Sequence, residues 1–307
     1  MGKVTSISLP TPSPSEIKRH HVALERETLR GDLAEFSKYA TVLQPHWFKE
    51  ESGEYACLKA RRDLHKRVKK RLRKEQGSAS EHKIAIIMAG PPGAGKSHQA
   101  SKVMQEIDPG ARWRKIDPDY LKDLILEESC SDHTFEDIVP PRLRDSEPDR
   151  AYPRELAALV HKESTDLAQR ILSVSIVTGE NLLLDRTLKT YQNAADLVAL
   201  LIERSYKVFI FDMETSRTVS VDSVYNRWAD GYRKAEENFR VGGTTVCREM
   251  GGRFVPPIIV KNAFTNALVS HCSKVVDALE SRNSSVLCRR YWRASTTSGP
   301  VLKLSKS

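Results

Sequence analysis

The sequence has no apolar run approaching the roughly 18 residues that a membrane-spanning helix needs. No secretory apolar region follows Met1 either, because "MGKVTSISLPTPSPSE" turns to proline and serine at once. Cysteine is scarce. The five cysteines (Cys57, Cys130, Cys247, Cys272, Cys288) are odd in number, widely spaced and without a C-x-x-C pair. That argues against a disulfide framework and a zinc site, and for free thiols in a reducing, cytoplasmic compartment. At 307 residues the chain can hold one large domain with an appendage, and no internal repeat divides it further.

An excess of basic charge is also missing from most of the chain. The net charge is +9, and the stretch 59–74, "KARRDLHKRVKKRLRK", supplies all of it with ten Lys/Arg against one acid. The remainder balances at 39 basic and 39 acidic residues. A nucleic-acid enzyme would carry cations along its groove as well, so a polynucleotide partner is disfavoured. Within the stretch Ala60, Leu64, Val68 and Leu72 fall on one i, i+4 row, which predicts an amphipathic helix with a narrow apolar stripe. The start "MGKVTS" fits M-G-x-x-x-[ST], an N-myristoylation pattern with Gly2 as acceptor, although a chance start sequence would fit as well. One acyl chain anchors weakly, and a polybasic patch is the usual second signal. Peripheral attachment to an anionic membrane through 59–74 is therefore one expectation. The other is that the stripe packs on the protein while the charges stay in water.

What the sequence does contain is a phosphate-binding pattern. Residues 89–100, "AGPPGAGKSHQA", carry the spacing G-x-x-x-x-G-K-[ST]. Gly90, Pro91, Pro92, Gly93, Ala94 and Gly95 would form a nest of backbone N–H groups around the phosphates of ATP. Lys96 is the point charge, Ser97 a Mg²⁺ ligand and His98 the next residue of the helix. The run "KIAIIMAG" before the loop is apolar at successive positions, as in a strand buried on both faces, and "KSHQASKVMQEI" after it reads as helix. Strand, glycine loop and helix together turn a motif into a structural claim.

The rest of the chain fits around this unit. A tail at 1–14 precedes a helix from Ser15 to about Val42, broken at Gly31, then the basic helix, then a linker at 75–83. Beyond the loop, "RWRKI", "NLLLDRT" and "KVFIFDM" read as strands alternating with helices, one over 154–172 and one near 190–204. An α/β fold with a mostly parallel sheet and crossover helices follows. An acidic, proline-broken insertion lies at 128–152. An arginine-rich stretch with paired glycines and no strand period covers the region where a P-loop kinase keeps its lid. A helix near 258–281 and a strand pair, "VLCRRYW" and "PVLKLS", close the chain.

Phosphoryl transfer needs a general base at a strand end beside the phosphates, and Asp117 and Asp119 follow "RWRKI". Either could serve. Asp119 could equally cap the helix "YLKDLI". Asp185 ends "NLLLD", where a carboxylate reaches magnesium or merely caps the next segment. Arg227, Arg233, Arg240, Arg248 and Arg253 could each stabilise developing γ-phosphate charge, and composition does not choose between them. Without an acceptor the same loop could be a regulatory nucleotide site on a nucleic-acid or membrane adaptor.

The ordered set "GPPGAGKSH", "IDPDYLK", "VHKEST", "LLLDRTLKT", "YNRWADG" and "GRFVPPIIVKNAF" resembles the zeta toxin family of P-loop kinases, over about 83–304. The resemblance implies an ATP-dependent kinase acting on the 3′-hydroxyl of the amino sugar of UDP-N-acetylglucosamine. A divergent branch acts on the adenosine ribose of NAD. It implies Asp119 as catalytic base and Lys96 and Ser97 on ATP and magnesium. Glu163 and Thr187 fall where family members contact the sugar nucleotide, Lys189 stands where an arginine is common, and Arg227 and Arg253 align with two arginines that grip the triphosphate. Asp117, if not the base, is the orienting neighbour on the substrate side. "LDRT" in place of a more usual "EGT" puts the bulky Arg186 near the substrate. An antitoxin in trans is an implied partner. The expected division is a tail at 1–14, a helical extension at 15–80 and a zeta-toxin-like kinase domain at 81–307.

Overall fold

The computed structural model describes residues 11–144, 150–242 and 245–302. Gly2 and its lipid-acceptor pattern lie outside them, as does the end of the closing strand segment. Ser13, not Ser15, starts the first helix, α1 (Pro14–Arg30). Its hydroxyl accepts from Glu16 N at 3.2 Å while Glu16 Oε2 accepts from Ser13 N at 2.7 Å, a reciprocal cap that satisfies two end groups. The helix stops at Gly31, and the continuation expected to Val42 is a series of turns. A hairpin absent from the sequence expectations follows, β1 (Phe48–Glu51) and β2 (Glu54–Cys57). Ser52 and Gly53 turn it with φ of 53° and 81°, the left-handed pair that matches strand twist.

The basic helix is α2 (Lys59–Gln76). Leu64, Val68 and Leu72 are buried as expected, but Ala60 is exposed and Arg61 is buried in its place. Then come β3 (Ile84–Ala89), α3 (Lys96–Ile107), β4 (Arg114–Ile116), α4 (Pro118–Ser131) and the short α5 (Phe135–Ile138). The helix expected at 154–172 begins later, as α6 (His161–Thr178), after a tight turn at Pro153–Leu156. β5 (Leu182–Arg186), α7 (Tyr191–Glu203) and β6 (Lys207–Thr215) follow. The arginine-rich stretch, to which the sequence assigned no element, is helical as far as Gly242, as part of the 26-residue α8 (Arg217–Gly242). The helix expected at 258–281 is two, α9 (Pro257–Lys261) and α10 (His271–Arg282), before β7 (Val286–Arg293) and β8 (Val301–Leu302).

These elements form two compact units, each discontinuous in sequence. One draws on His65–Leu121, Ser164–Val224 and Pro257–Ser307 and contains the six-stranded sheet, in the order β4-β5-β3-β6-β7-β8. Five strands are parallel and β8 pairs antiparallel with β7. β3 is bonded on both sides, Ile87 facing Leu184 and Ile210 in register. Ile86, Met88, Val103, Trp113, Phe211 and Met213 form its core.

The other unit draws on Met1–Leu64, Lys122–Glu163 and Tyr225–Pro256. At its centre the buried Glu155 accepts from Trp228 Nε1 at 2.9 Å and Tyr152 N at 2.9 Å, and pairs with His20 Nε2 at 3.0 Å. His20, Tyr232 and Trp228 stack above it. The expectation of five free thiols fails here, because Cys130 and Cys247 form a disulfide across 117 residues with their Cα atoms 5.5 Å apart. Sequence spacing excluded local C-x-x-C chemistry but carries no information on a pair so distant. Among the described residues no helix is long and apolar enough to cross a membrane.

Glu16 also joins α1 to α8, because Arg240 Nη2 donates to Glu16 Oε1 at 2.8 Å. The Ser13 hydroxyl and backbone N–H, and then Arg240, hold the Glu16 carboxyl at about 2, below its ordinary 4.5. A carboxyl depressed on folding stabilises above its unfolded value and loses that contribution as pH falls through the folded one. Glu16→Gln is therefore expected to lower the melting temperature at pH 7, with the gap to wild type closing between about pH 4.5 and about pH 2. A gap independent of pH would mean that the carboxylate charge contributes nothing.

Candidate active site

The phosphate loop is built by the end of β3. Its last residue is hydrogen-bonded into a ladder on both sides, so the chain must turn sharply to leave the sheet. Gly90 does so with φ +142°, and a Cβ there would collide with the Met213 carbonyl oxygen. Gly95, at φ +88°, is the left-handed N-cap of α3. The helix thus begins at Lys96, with its unpaired N–H groups and positive dipole end at the loop. Lys96 Nζ donates to Gly90 O at 2.9 Å and Pro91 O at 3.2 Å, and lies 3.5 Å from Asp185 Oδ1. Ser97 and His98 in the first turn are exposed. Behind the loop lies Cys272, a residue the sequence reading passed over. Burial first, then Asp212, pushes its thiol well up, while Lys96 and a backbone hydrogen bond from Gly90 oppose the shift.

The neighbouring strands deliver the carboxylates. Asp185 is in register with Met88 on β3. One strand further out, β4 runs into Asp117, whose Oδ1 accepts from Asp119 N at 2.8 Å and whose carbonyl accepts from Leu121 N at 3.1 Å. Asp117 is therefore the N-cap of α4, the role that Asp119 could have filled, and Asp119 stands in the first turn, half-buried. Burial lowers the Arg186 pKa, while the charges of Asp185 and Asp117 raise it in opposition. That places all three at the carboxyl ends of adjacent strands, where ligands of such sheets bind. Thr187 is half-buried beyond β5 and Lys189 is exposed.

Three residues named from the sequence belong to the other unit. Glu163, in the first turn of α6, gives both oxygens to Arg61, at 2.6 Å from Nε and 2.8 Å from Nη2. The side chains are 0% and 1% exposed respectively, and the Arg61 guanidinium also stacks 4.4 Å from the Trp47 ring centre. Arg253 Nη2 donates to Asp123 Oδ2 at 2.7 Å, and Arg154 Nε lies 3.3 Å from the same oxygen. Arg227 borders a cleft of about 590 Å³ with Arg154, Lys234, Asp230, Glu249 and Gly251. Sequence reasoning missed Arg61, Asp123 and Arg154. Arg61 is one of ten cations in its run, and nothing in the spacing marks it; Asp123, four residues after Asp119 on α4, could have been noticed.

A mostly parallel sheet whose first strand opens into a lysine-bearing glycine loop defines a P-loop nucleotide-binding α/β protein. The Zeta toxin family profile matches residues 69–287, and the chain belongs to that family. It is an ATP-dependent phosphotransferase of the zeta toxin type. A chain of the PezAT chromosomal toxin–antitoxin system of the human pathogen Streptococcus pneumoniae is similar at 16% identity, over 78% of this chain and 79% of that one, with a TM-score of 0.46. The native AvrRxo1-ORF1:-ORF2 complex is similar at 15% identity, over 96% and 72%, with a TM-score of 0.49. The AvrRxo1-ORF1:-ORF2 structure with ATP has the same identity and coverage and a TM-score of 0.41. Comparison with curated proteins gives no match.

Removing one partner of a buried pair strands the other charge, so Arg61→Ala is expected to cost about 3–5 kcal/mol in urea unfolding. Arg61→Met with Glu163→Leu should recover most of it, since apolar replacement of a buried pair is often near neutral. Turnover then separates the roles of Glu163. A stable but inactive double variant supports a substrate contact, and a stable active one leaves only the ion pair.

Proposed function

We propose that the chain transfers the γ-phosphate of ATP to a hydroxyl of a nucleotide sugar, with the 3′-hydroxyl of the amino sugar of UDP-N-acetylglucosamine as acceptor. The observation that carries the reading is the loop after β3, with Lys96 folded back on Gly90 and Pro91 beside Asp185. The family pattern supplies the acceptor. Asp119 takes the proton from the acceptor hydroxyl, whose oxygen bonds to the γ-phosphorus as the bond to the bridging oxygen breaks and ADP leaves. Asp117 fixes the helix turn that carries Asp119. Lys96, Arg227 and Arg253 are assigned the charge that develops on the transferring group. Thr187 and Lys189 are assigned to the sugar nucleotide, and Glu163, buried on Arg61, would have to release that pair to join them.

Magnesium fits the donor set. Among the described residues no group of three or more His, Cys, Asp or Glu could hold a metal alone. Mg²⁺ needs no such cage, because it keeps waters and binds through one or two carboxylates plus substrate phosphates. Ser97 and Asp185 are the residues that would hold it, and it would neutralise phosphate charge. A cytoplasmic location, where ATP is available, is part of the proposal, as is an antitoxin supplied by another chain on the strength of the family.

The test is product analysis after incubation with ATP and each acceptor. Phosphorylated UDP-N-acetylglucosamine supports the reading, and product only from NAD moves the acceptor to its adenosine ribose. Lys96→Ala should give no product from a folded protein. Asp119→Asn should keep ATP binding and lose about 10²–10⁴ in turnover. Normal turnover in Asp119→Asn with an inactive Asp117→Asn would reassign the base.

A second reading concerns α2, where Leu64, Val68 and Leu72 are buried while Arg62, Lys69, Lys70, Arg73 and Lys74 are exposed. We propose that this outer face meets an anionic membrane, at about 1 kcal/mol per basic residue near the surface. Because the apolar stripe is already buried, attraction is electrostatic and falls with salt. Sedimentation with anionic vesicles should weaken with added salt and on replacing Lys69, Lys70 and Lys74 by Gln. Wild type left in the supernatant at every salt concentration would reduce the helix to scaffold.

A further inference from the structure

The carboxyl-terminal turn is tied to the phosphate loop by one side chain. Arg293 ends β7, and its guanidinium collects backbone carbonyls from two places. Nε donates to Ser298 O at 2.9 Å and Nη2 to Thr296 O, both within the turn that leads to β8. Nη1 donates to Gly93 O at 2.6 Å, in the middle of the phosphate loop, and to Ser223 Oγ at 3.2 Å. The turn is also closed on itself, since Ser295 N donates to Ser298 Oγ at 3.0 Å and Ser298 N to Ser295 Oγ at 3.1 Å. It lies close against the nucleotide-binding segment. A Cβ on Gly95 would come within 2.7 Å of Pro300 Cγ, and one on Gly299 within 2.9 Å of His98 Nε2.

The neighbouring carbonyl is held as well, by Ser220 Oγ donating to Pro92 O at 2.5 Å. A trans peptide unit is planar, so its C=O and the following N–H point in opposite directions. With the carbonyls of Pro92 and Gly93 drawn to Ser220 and Arg293, the N–H of Gly93 is turned to the other side of the loop, while Ala94 N donates to Pro91 O at 3.4 Å and braces the turn from within. Preorganised backbone donors of this kind bind phosphate without first reorganising.

We propose that Arg293 is a positioning residue for the nucleotide, and that the 294–300 turn it folds is a fixed wall of the phosphate loop. The proposal rests on the reading of that loop as the ATP site. It requires the fork of an arginine, because three carbonyls in different directions are met at once and a lysine ammonium on a flexible stem does not reproduce that set. The wall acts on the donor and not on the acceptor.

The experiment is equilibrium titration with Mg²⁺ and a non-hydrolysable ATP analogue, with no acceptor present, on wild type and on Arg293→Gln, Arg293→Lys, Gly299→Ala and Lys96→Ala. Arg293→Gln should weaken ATP binding about tenfold, the scale of a lost charged hydrogen bond, and Arg293→Lys should weaken it nearly as much. Gly299→Ala keeps the arginine, and because the exposed His98 ring can swing away from the added methyl, it should bind like wild type and serves as the control for substitution within the turn. In turnover the Michaelis constant for ATP should rise while that for the acceptor stays level. Wild-type affinity in Arg293→Gln, beside a Lys96→Ala that has lost binding, would overturn the positioning role and leave the loop assignment intact. Wild-type affinity in Lys96→Ala would overturn both. A proportional rise in the constants for ATP and acceptor would mark a general loosening and overturn the proposal too.

Discussion

The approach of Gly90 to the Met213 carbonyl is the constraint from which the phosphate site follows. β3 is the one strand whose end is confined between β5 and β6, so its chain can leave only upward and back. A side chain at Gly90 would have to displace β6 backbone, and at φ +142° only glycine is at ease. Once that turn is made, the loop has five residues in which to reverse before α3 must start. The left-handed Gly95 completes the reversal, and the helix end faces the space above β3. Lys96 is then close enough to fold over the loop that precedes it. The register of β5 against β3 sets Asp185 beside it, and the shorter β4 sets Asp117 one strand away.

Charge in the second unit is managed differently, by arginine forks on buried carboxylates. Arg61 covers both oxygens of Glu163, and Arg253 shares Asp123 with Arg154. For Arg61 the pairing satisfies a charge with no access to water. For Arg253 it has a further consequence. A guanidinium already aligned on a carboxylate has lost most of its rotamer freedom, and exchanging a carboxylate for a phosphate partner needs little new ordering. Asp123 also keeps Arg154 Nε at 3.3 Å, so the carboxylate is not left alone when Arg253 turns away.

How much of this was legible in the sequence depended on whether the signal was local. The phosphate loop, the strands β3, β5 and β6 and the helix that opens at Lys96 are each written in consecutive residues, and they were found. Asp117 and Asp119 were found as a pair, but which of them caps α4 is a matter of hydrogen-bond direction that spelling does not show. The β1–β2 hairpin was missed because "FKEESGEYAC" is polar, its strands being mostly exposed. Helix α8 was missed for a related reason. Its buried positions, among them Val224, Trp228, Tyr232 and Ala235, are spread through a surface of charge, so no helical period stood out. The Cys130–Cys247 bridge and the grip of Arg293 on Gly93, 200 residues away, have no local trace at all.

The basic helix shows how a local signal can be present and still be misread by one residue. A strict i, i+4 row such as Ala60–Leu64–Val68–Leu72 does not run straight along a helix. At 3.6 residues per turn each four-residue step overshoots by about 40°, so a row of three such steps winds about a third of the way round. A stripe that stays on one side must alternate steps of three and four. From Leu72 back through Val68 to Leu64 the four-residue steps are tolerable, and the next buried residue is then three back, not four. That position is Arg61, which is buried at 1% exposure, and Ala60 turns out to water. The helix therefore places a cation on its apolar side, and the structure answers with Glu163. One of the ten charges that looked like surface is thus internal, and the face left for any polyanion is made by Arg62, Lys69, Lys70, Arg73 and Lys74 on the opposite side.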